Sequence, residues 1–285
     1  MLDARSDLPT DQQKTFEAFV ADVDDQLFDR IAVLLADVDE PAVAQRVYDL
    51  AFEPNDVLPK RERRPELHSA ILAAASADAL GLDDEERATL LEFTVAIQEY
   101  YDVLDDLIDG DVAPGHETEV QLVAQVLLPL AVDRLGRLGS DAVAHWAERA
   151  LELVTAPHAE LQSEPSPEAY DEIVARQSVL FGFVPGVAAV AAGCDDAGVQ
   201  RASSIGRSIY RHGQFARDFE QHVRGDDDPW NAAALHGDDA VIEELRSLRA
   251  TVEDLAAAYP DPARIVLQGL VALDVDAWQT ELADG

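Results

Sequence analysis

The chain has 285 residues, 57 of them acidic and 21 basic, which gives a formal net charge of −36 at pH 7. A charge of this sign and size excludes nucleic acids and anionic membranes as partners for the surface as a whole, because both are themselves negative. The hydrophobic content of 48% is enough for one sizeable core. We therefore expect a single domain over residues 1–285.

The charged residues are also unevenly chosen. Lysine occurs only at Lys14 and Lys60, and every other basic residue is arginine. Few lysines and abundant Asp and Glu throughout the chain indicate adaptation to a high-salt cytoplasm, where screening makes such a charge tolerable. The lone Cys194 excludes an internal disulfide and is typical of a reducing compartment. No leader and no membrane span is predicted, so we expect a cytoplasmic protein.

Helical spacing of apolar residues dominates the chain. From Phe16 to Leu34 the apolar positions recur every three or four residues, which predicts an amphipathic helix. Further helices are predicted to begin near Glu66, Asp84, Glu119, Asp141, Pro167, Val199, Asp239 and Pro262. The segment FGFVPGVAAVAAG, residues 181–193, could be a strand, but its small residues suit close helix packing as well. The pattern predicts an all-α bundle of roughly ten helices, with residues 84–110 and 167–193 central.

Four aspartates occur near the end of the first of these central helices. Asp102, Asp105, Asp106 and Asp109 have the spacing i, i+3, i+4 and i+7, which places them on one helix face. Mg²⁺ prefers such oxygen ligands and commonly bridges one or two carboxylates to substrate phosphates. In so acidic a chain, a solvated acidic patch explains the same pattern. The residues alone leave both interpretations open.

Four segments together resemble the trans-isoprenyl diphosphate synthases, also called polyprenyl synthetases. YYDVLDDLIDGD (100–111) resembles their first aspartate-rich motif, and KRERRP (60–65) resembles the segment that binds isopentenyl diphosphate. RQSVLF (176–181) resembles their Lys-Thr stretch, with Arg176 and Gln177 at those two places. GQFARDFEQHVRGD (213–226) lies where the second aspartate-rich motif is expected. The segments follow the family's order, which identifies the chain as a divergent, halophilic member.

This resemblance implies an isoprenoid synthase-type bundle of ten or more helices around a central cavity. It also implies a Mg²⁺-dependent prenyltransferase that condenses isopentenyl diphosphate with an allylic diphosphate, acting as a homodimer or as a heterodimer with a paralogous synthase. The metal ligands it implies are Asp105, Asp106, Asp109 and Asp218. The diphosphate-binding residues it implies are Lys60, Arg61, Arg64, Arg176, Gln177 and Arg217, with Arg176 also taking part in catalysis.

The departures from the family pattern that bear most on activity lie in the second motif. Only Asp218 of its expected aspartates is present, with Phe219 and His222 at the other two places, and Gln214 is displaced by one residue from the usual glutamine. These changes favour an alternative, a catalytically silent or regulatory subunit that pairs with an active synthase. Other class I terpenoid synthase chemistry is a further alternative.

Product length can be predicted from two tyrosines. Tyr100 and Tyr101 lie five and four residues before Asp105, about one helical turn deeper along a path that a growing tail would take. Adjacent aromatic rings there would form a floor, so we expect a short product of C10 to C15. The alternative is that both are core tyrosines with buried hydroxyl partners.

The acidic composition generates a first prediction. We expect the unfolding midpoint to rise with KCl, because the Debye length falls from about 10 Å at 0.1 M to about 3 Å at 1 M and repulsion among the acids weakens. Thermal unfolding followed by circular dichroism measures this, and a sucrose series separates screening from solute exclusion. A midpoint independent of KCl would contradict the halophilic interpretation.

Overall fold

The structure, a computed structural model, describes residues 6–59, 67–153, 155, 162–226 and 228–284. These residues form twelve α-helices and one short π-helix, and they contain no strand. In chain order the elements are α1 (Thr10–Leu35), α2 (Pro41–Val47), the π-helix (Tyr48–Phe52), α3 (Leu67–Leu80), α4 (Asp84–Asp109), α5 (Glu117–Arg137), α6 (Ser140–Leu153), α7 (Pro167–Ala191), α8 (Asp196–Arg224), α9 (Ala232–His236), α10 (Asp238–Ala256), α11 (Ala263–Gly269) and α12 (Val275–Asp284). The predicted all-α class is confirmed, and residues 181–191 belong to α7 instead of a strand.

The central helix α4 has sequence signals at both ends. Asp83 Oδ1 accepts hydrogen bonds from the backbone N–H groups of Glu85 (3.0 Å) and Glu86 (2.9 Å), and Glu86 Oε2 accepts one from the Asp83 N–H (3.0 Å). This capping box satisfies donors that the first helical turn leaves open. The helix ends at Gly110, whose φ of 75° favours glycine. The acidic segment therefore occupies the last two turns of a well-defined helix.

Two glycines let α7 and α8 approach closely. A Cβ atom on Gly206 would lie 2.1 Å from the Phe181 carbonyl oxygen, and one on Gly182 would lie 2.8 Å from the Ser203 carbonyl oxygen. Larger residues at these positions would force the helices apart. The contact brings the Phe181 and Tyr210 rings to a centroid distance of 5.1 Å. The small residues of α7 thus serve helix packing.

The apolar side chains form one large core and a smaller cluster. The large core includes Leu90 and Phe93 of α4, Leu127 of α5 and Phe183 of α7. The smaller cluster packs the second half of α8 against α9, α10 and α12, and its members include Trp278. Helix α4 therefore runs through the protein interior for most of its length.

One helix of the described part of the chain, α7, is long and apolar enough to cross a membrane. Within its most apolar window, 78% of the residues are buried inside the protein. A core helix passes the same test of length and composition, and this degree of burial is typical of one.

A buried arginine connects three elements at the far end of α4 from the aspartates. Arg134 of α5 is 1% exposed, and its Nε donates a hydrogen bond to Glu92 Oε2 of α4 (2.6 Å). Its guanidinium also donates to Asp37 (2.6 Å), just after α1, and to Asp133 (2.7 Å). Removing one partner of a buried ion pair leaves a charge in a medium that solvates it poorly.

This network generates a second prediction. Replacing Glu92 with alanine should lower the free energy of unfolding by about 1–3 kcal/mol, because the buried Arg134 Nε loses its acceptor while the guanidinium keeps Asp37 and Asp133. The matched control is Arg137→Ala, which removes an exposed arginine that also contacts Asp37 (3.0 Å) and should cost less than about 1 kcal/mol. Urea unfolding measures both, and equal costs would show that burial does not control the contribution.

Candidate active site

A cavity of about 400 Å³ lies between the C-terminal half of α4 and the middle of α8. The segment that follows α11 closes one side, and Phe16 of α1 packs there against Gly269, where a Cβ would lie 2.3 Å from the ring. The residues that line it are Ser6, Phe16, His68, Gln98, Asp102, Asp105, Phe181, Ile209, Tyr210, His212, Gly213, Gln214, Ala216, Arg217 and the stretch 269–273. The volume lies toward the small end of the range for ligand pockets, about 300–1,000 Å³.

The α4 wall of the cavity is acidic. Gln98, Asp102 and Asp105 follow one another at i, i+4 and i+7 on the cavity side of the helix, and Gln98 Nε2 donates a hydrogen bond to Asp102 Oδ1 (3.0 Å). The two carboxylates lie in the last turns of α4, where the helix dipole is negative and the final turn holds no basic residue. The helix end and the side chains therefore attract cations together.

The α8 wall is polar and carries a positive charge. Tyr210, Gln214 and Arg217 share one helix face and line the cavity. The Tyr210 hydroxyl donates a hydrogen bond to Gln177 Oε1 of α7 (3.2 Å). Burial raises the pKa of Tyr210, and its main opposing influence is the charge of Arg217. Tyr210 is therefore a neutral hydrogen-bonding group opposite the acidic wall.

Asp218, one residue beyond Arg217, is turned away from the cavity. It is 3% exposed, and its Oδ2 accepts hydrogen bonds from the Tyr170 hydroxyl (2.7 Å) and the Ala232 N–H (2.9 Å). Its Oδ1 accepts one from Gln214 Nε2 (2.8 Å). Burial raises the pKa of Asp218, while the bonds from Tyr170 and Ala232 lower it. Both oxygens already have donors and the carboxylate is buried, which disfavours a metal ion there.

Histidine 212 lines the cavity near the C-terminal segment. Its side chain is buried, and Nε2 has no hydrogen-bond partner among the described residues. Burial lowers the pKa of His212 to about 4, so the ring is neutral near pH 7. Together with Ile209 and Leu270 it makes this part of the cavity uncharged.

The structure brings only some of the sequence-predicted residues to the cavity. Asp105 and Arg217 line it, and Gln177 reaches it through its hydrogen bond from Tyr210. The predicted residues that lie in the described chain but not in the cavity lining are Tyr100, Tyr101, Asp106, Asp109, Arg176 and Asp218. Lys60, Arg61 and Arg64 lie outside the described residues.

Arg176 and the tyrosine pair have other contacts. Arg176 donates hydrogen bonds to the Thr155 carbonyl (3.2 Å) and to Glu172. The Tyr100 and Tyr101 rings lie 5.0 Å apart between centroids, and burial raises the pKa of Tyr101 to about 12. In this structure both rings are partly buried and pack against the core.

Gln98, Tyr210 and His212 line the cavity but were not among the site residues predicted from the sequence, whereas Asp102 was predicted only as part of the acidic helix face. For α4 the sequence does contain a signal, because positions 98, 102 and 105 are spaced by about one and two helical turns and therefore share one helix face. For α8 the same spacing relates 210, 214 and 217. What the sequence did not indicate is which faces of the two helices meet.

The two walls differ in how well they fit magnesium. Asp102 and Asp105 offer carboxylate oxygens on one cavity face, and Mg²⁺ is commonly held by one or two carboxylates plus substrate phosphates. Within the described part of the chain, no three His, Cys, Asp or Glu side chains converge closely enough to hold a metal ion by themselves. The α4 wall therefore fits Mg²⁺ shared with a phosphate. The α8 wall, with Arg217 in the cavity and Asp218 buried, does not fit a metal.

No protein-family model and no curated protein sequence matches the chain. Solved structures do match it over nearly its whole length. Geranylgeranyl pyrophosphate synthase from Corynebacterium glutamicum superimposes with a TM-score of 0.70 at 17% identity, covering 92% of this chain and 93% of that chain. Polyprenyl synthetase from Streptomyces coelicolor gives a TM-score of 0.72 at 14% identity, with 90% and 98% covered. Polyprenyl synthase from Caulobacter crescentus, complexed with calcium and isoprenyl diphosphate, gives a TM-score of 0.66 at 17% identity, covering 95% of this chain and 99% of that chain. The chain has the fold of the isoprenyl diphosphate synthases.

Proposed function

We propose that this protein is a prenyltransferase, which condenses isopentenyl diphosphate with an allylic diphosphate to a short prenyl diphosphate of C10 to C15. One observation carries the proposal: in this fold, Asp105 and Arg217 line one cavity from opposite walls. An acidic wall that can share a divalent cation and a guanidinium that can bind oxyanions are both needed to hold a diphosphate. The whole chain, 1–285, would serve this activity as one domain.

The polar residues would bind and orient the diphosphate. Asp105 and Asp102 would hold Mg²⁺, with Asp106 and Asp109 contributing if the end of α4 adjusts on binding. Mg²⁺ bound there would neutralise the charge that develops on the leaving diphosphate. Arg217 would contact the diphosphate oxygens directly, and the hydroxyl of Tyr210 would donate a further hydrogen bond.

The second diphosphate would bind to residues identified by the resemblance alone. Lys60, Arg61 and Arg64 would hold isopentenyl diphosphate. Arg176 would have to leave Glu172 to reach a substrate, so it is the weakest of the expected contacts. Gln177 would act indirectly, by orienting the Tyr210 hydroxyl through the 3.2 Å hydrogen bond between them.

The rest of the cavity is apolar and would hold the hydrocarbon. Phe181, Ile209, Leu270 and Val271 are among its lining residues. Ionisation of the allylic diphosphate leaves a carbocation, which the isopentenyl double bond attacks before a proton is lost, and water must be kept from that cation. A volume of about 400 Å³ favours a short product over a long one.

A second candidate is a silent or regulatory subunit that pairs with an active synthase. The observation that favours it is the burial of Asp218 under three hydrogen bonds, which removes the remaining acid of the second motif from the cavity. Such a subunit would copurify with a paralogous synthase and change its products.

The proposed activity generates a third prediction. Purified protein in molar KCl with Mg²⁺, isopentenyl diphosphate and a C5 or C10 allylic diphosphate should form a prenyl diphosphate, detected by chromatography after dephosphorylation. Asp105→Asn should lower kcat by about 10²–10³-fold, the usual cost of removing one electrostatic contact to the reacting group. Glu85→Gln removes the same charge at the other end of α4 and should change kcat less than about twofold. Absence of product with every allylic substrate would contradict the proposal and favour the silent subunit.

The tyrosine pair generates a fourth prediction. The double variant Tyr100→Ala/Tyr101→Ala should make products longer by at least one C5 unit, because it opens space about one turn below Asp105. The matched control, Tyr100→Phe/Tyr101→Phe, keeps both rings and should leave product length unchanged. Unchanged length in the alanine variant would show that the two tyrosines are core residues only.

A further inference from the structure

We propose that the α8 wall binds the diphosphate through a fixed guanidinium in place of a metal ion, with Gln214 and Asp218 as positioning residues for Arg217. The inference rests on the proposed function, because it specifies how that cavity holds a diphosphate. It reassigns Asp218, which the resemblance implied as a metal ligand, to a positioning role.

The rotation of α8 separates Arg217 from Asp218. Successive helical residues differ by about 100° around the axis, so the side chains of Arg217 and Asp218 point in different directions. Arg217 lines the cavity together with Tyr210 and Gln214, and Asp218 points toward Tyr170 and the start of α9. The charge that α8 presents to the cavity is therefore positive.

Asp218 is held rigidly on its own side of the helix. In addition to the three donors to its carboxylate, its carbonyl oxygen accepts a hydrogen bond from Asn231 Nδ2 (2.6 Å). Asn231 also caps α9, because its Oδ1 accepts from the backbone N–H groups of Ala233 (2.9 Å) and Ala234 (3.2 Å). These contacts fix α9 against α8 and leave the Asp218 carboxylate little freedom to turn.

The side-chain amide of Gln214 connects Asp218 to Arg217 at the cavity. A carboxylate only accepts hydrogen bonds, so the group that faces Asp218 Oδ1 at 2.8 Å must be the Gln214 Nε2. The Gln214 Oε1 then faces the other way and accepts a hydrogen bond from the Arg217 guanidinium (3.2 Å). This hydrogen bond orients the exposed Arg217 guanidinium at the cavity edge.

A guanidinium in this position can replace part of the charge that a metal ion would supply. It is permanently charged, and its planar fork can bind two phosphate oxygens at once. It also repels a metal ion from the same wall. The chain would therefore bind diphosphate on the α8 side without metal, and only the α4 wall would require Mg²⁺.

The test uses inorganic pyrophosphate as the probe, titrated into the full-length protein by calorimetry with EDTA and then with Mg²⁺, in KCl at which circular dichroism shows a folded protein. Wild type should bind pyrophosphate in EDTA. Arg217→Gln should weaken that binding by about tenfold or more, the loss of one charge-assisted bidentate contact. The matched control is Arg224→Gln on the same helix, whose arginine pairs with Glu220 outside the cavity, and it should bind as wild type does.

Two further variants test the positioning role of Gln214 and the metal-free contact of Arg217. Gln214→Ala should weaken metal-free binding about threefold to tenfold through lost orientation, and it should also lower the melting temperature, because it removes a hydrogen-bond donor from the buried Asp218 carboxylate. The variant Arg217→Asp should not bind pyrophosphate in EDTA. Its pyrophosphate binding should return when Mg²⁺ is added. A merely structural role for Gln214 would change the melting temperature and leave the affinity unchanged.

Two results would overturn the inference: wild type that does not bind pyrophosphate in EDTA, or Arg217→Gln that binds it as tightly as wild type. Failure of the proposed function is a separate outcome. A protein that binds metal-free pyrophosphate through Arg217 but forms no product contradicts the activity alone. A protein that forms product while its pyrophosphate binding is independent of Arg217 contradicts this inference alone.

Discussion

Negative charge at the C-terminal end of α4 is the constraint on which the rest of the cavity depends. Asp102 and Asp105 lie where the helix dipole is already negative, and Asp109 ends the helix. Any positive group that comes near these closely spaced carboxylates stabilises their charged form. The opposite wall carries Arg217, whose permanent positive charge compensates part of this negative charge. A divalent cation shared with phosphate would compensate the remaining negative charge, so under the proposed function the two walls would act as complementary halves of one anion site.

The position of the α8 wall follows from packing at both of its ends. Near the middle of α8, Gly206 lets the helix approach the Phe181 carbonyl, which sets the distance between α7 and α8. Two turns or more further on, Asp218 anchors the helix to Tyr170 and α9. Between these fixed points Tyr210 and Arg217 have a defined direction. Under the proposal, the buried Asp218 would influence the cavity through the orientation of α8 and of Gln214 instead of as a metal ligand.

The sequence predicted the fold class and the acidic wall, because both depend on local patterns. Capping residues and three-to-four-residue spacing define α4 without reference to any other helix, and Asp105 was found in this way. The role of Asp218 could not be predicted, because it depends on which side of α8 meets α9, and the partners Tyr170 and Ala232 are 48 and 14 residues away. Asp102 was recognised as part of the acidic face, but nothing in the linear pattern showed that it, more than Asp106, would reach the cavity.

The choice of arginine over lysine connects the cavity to the composition of the whole chain. At about 1 M salt the Debye length is about 3 Å, so charges that do not touch hardly influence one another. A ligand is then held by contacts at hydrogen-bond distance and not by the long-range field of the protein. Such contacts require a donor whose direction is fixed, and a planar guanidinium held by a neighbouring amide meets this requirement better than a flexible ammonium group. The proposed diphosphate binding is therefore compatible with a net charge of −36, because in salt it would depend on a few oriented donors while the repulsion from the distant acids is screened.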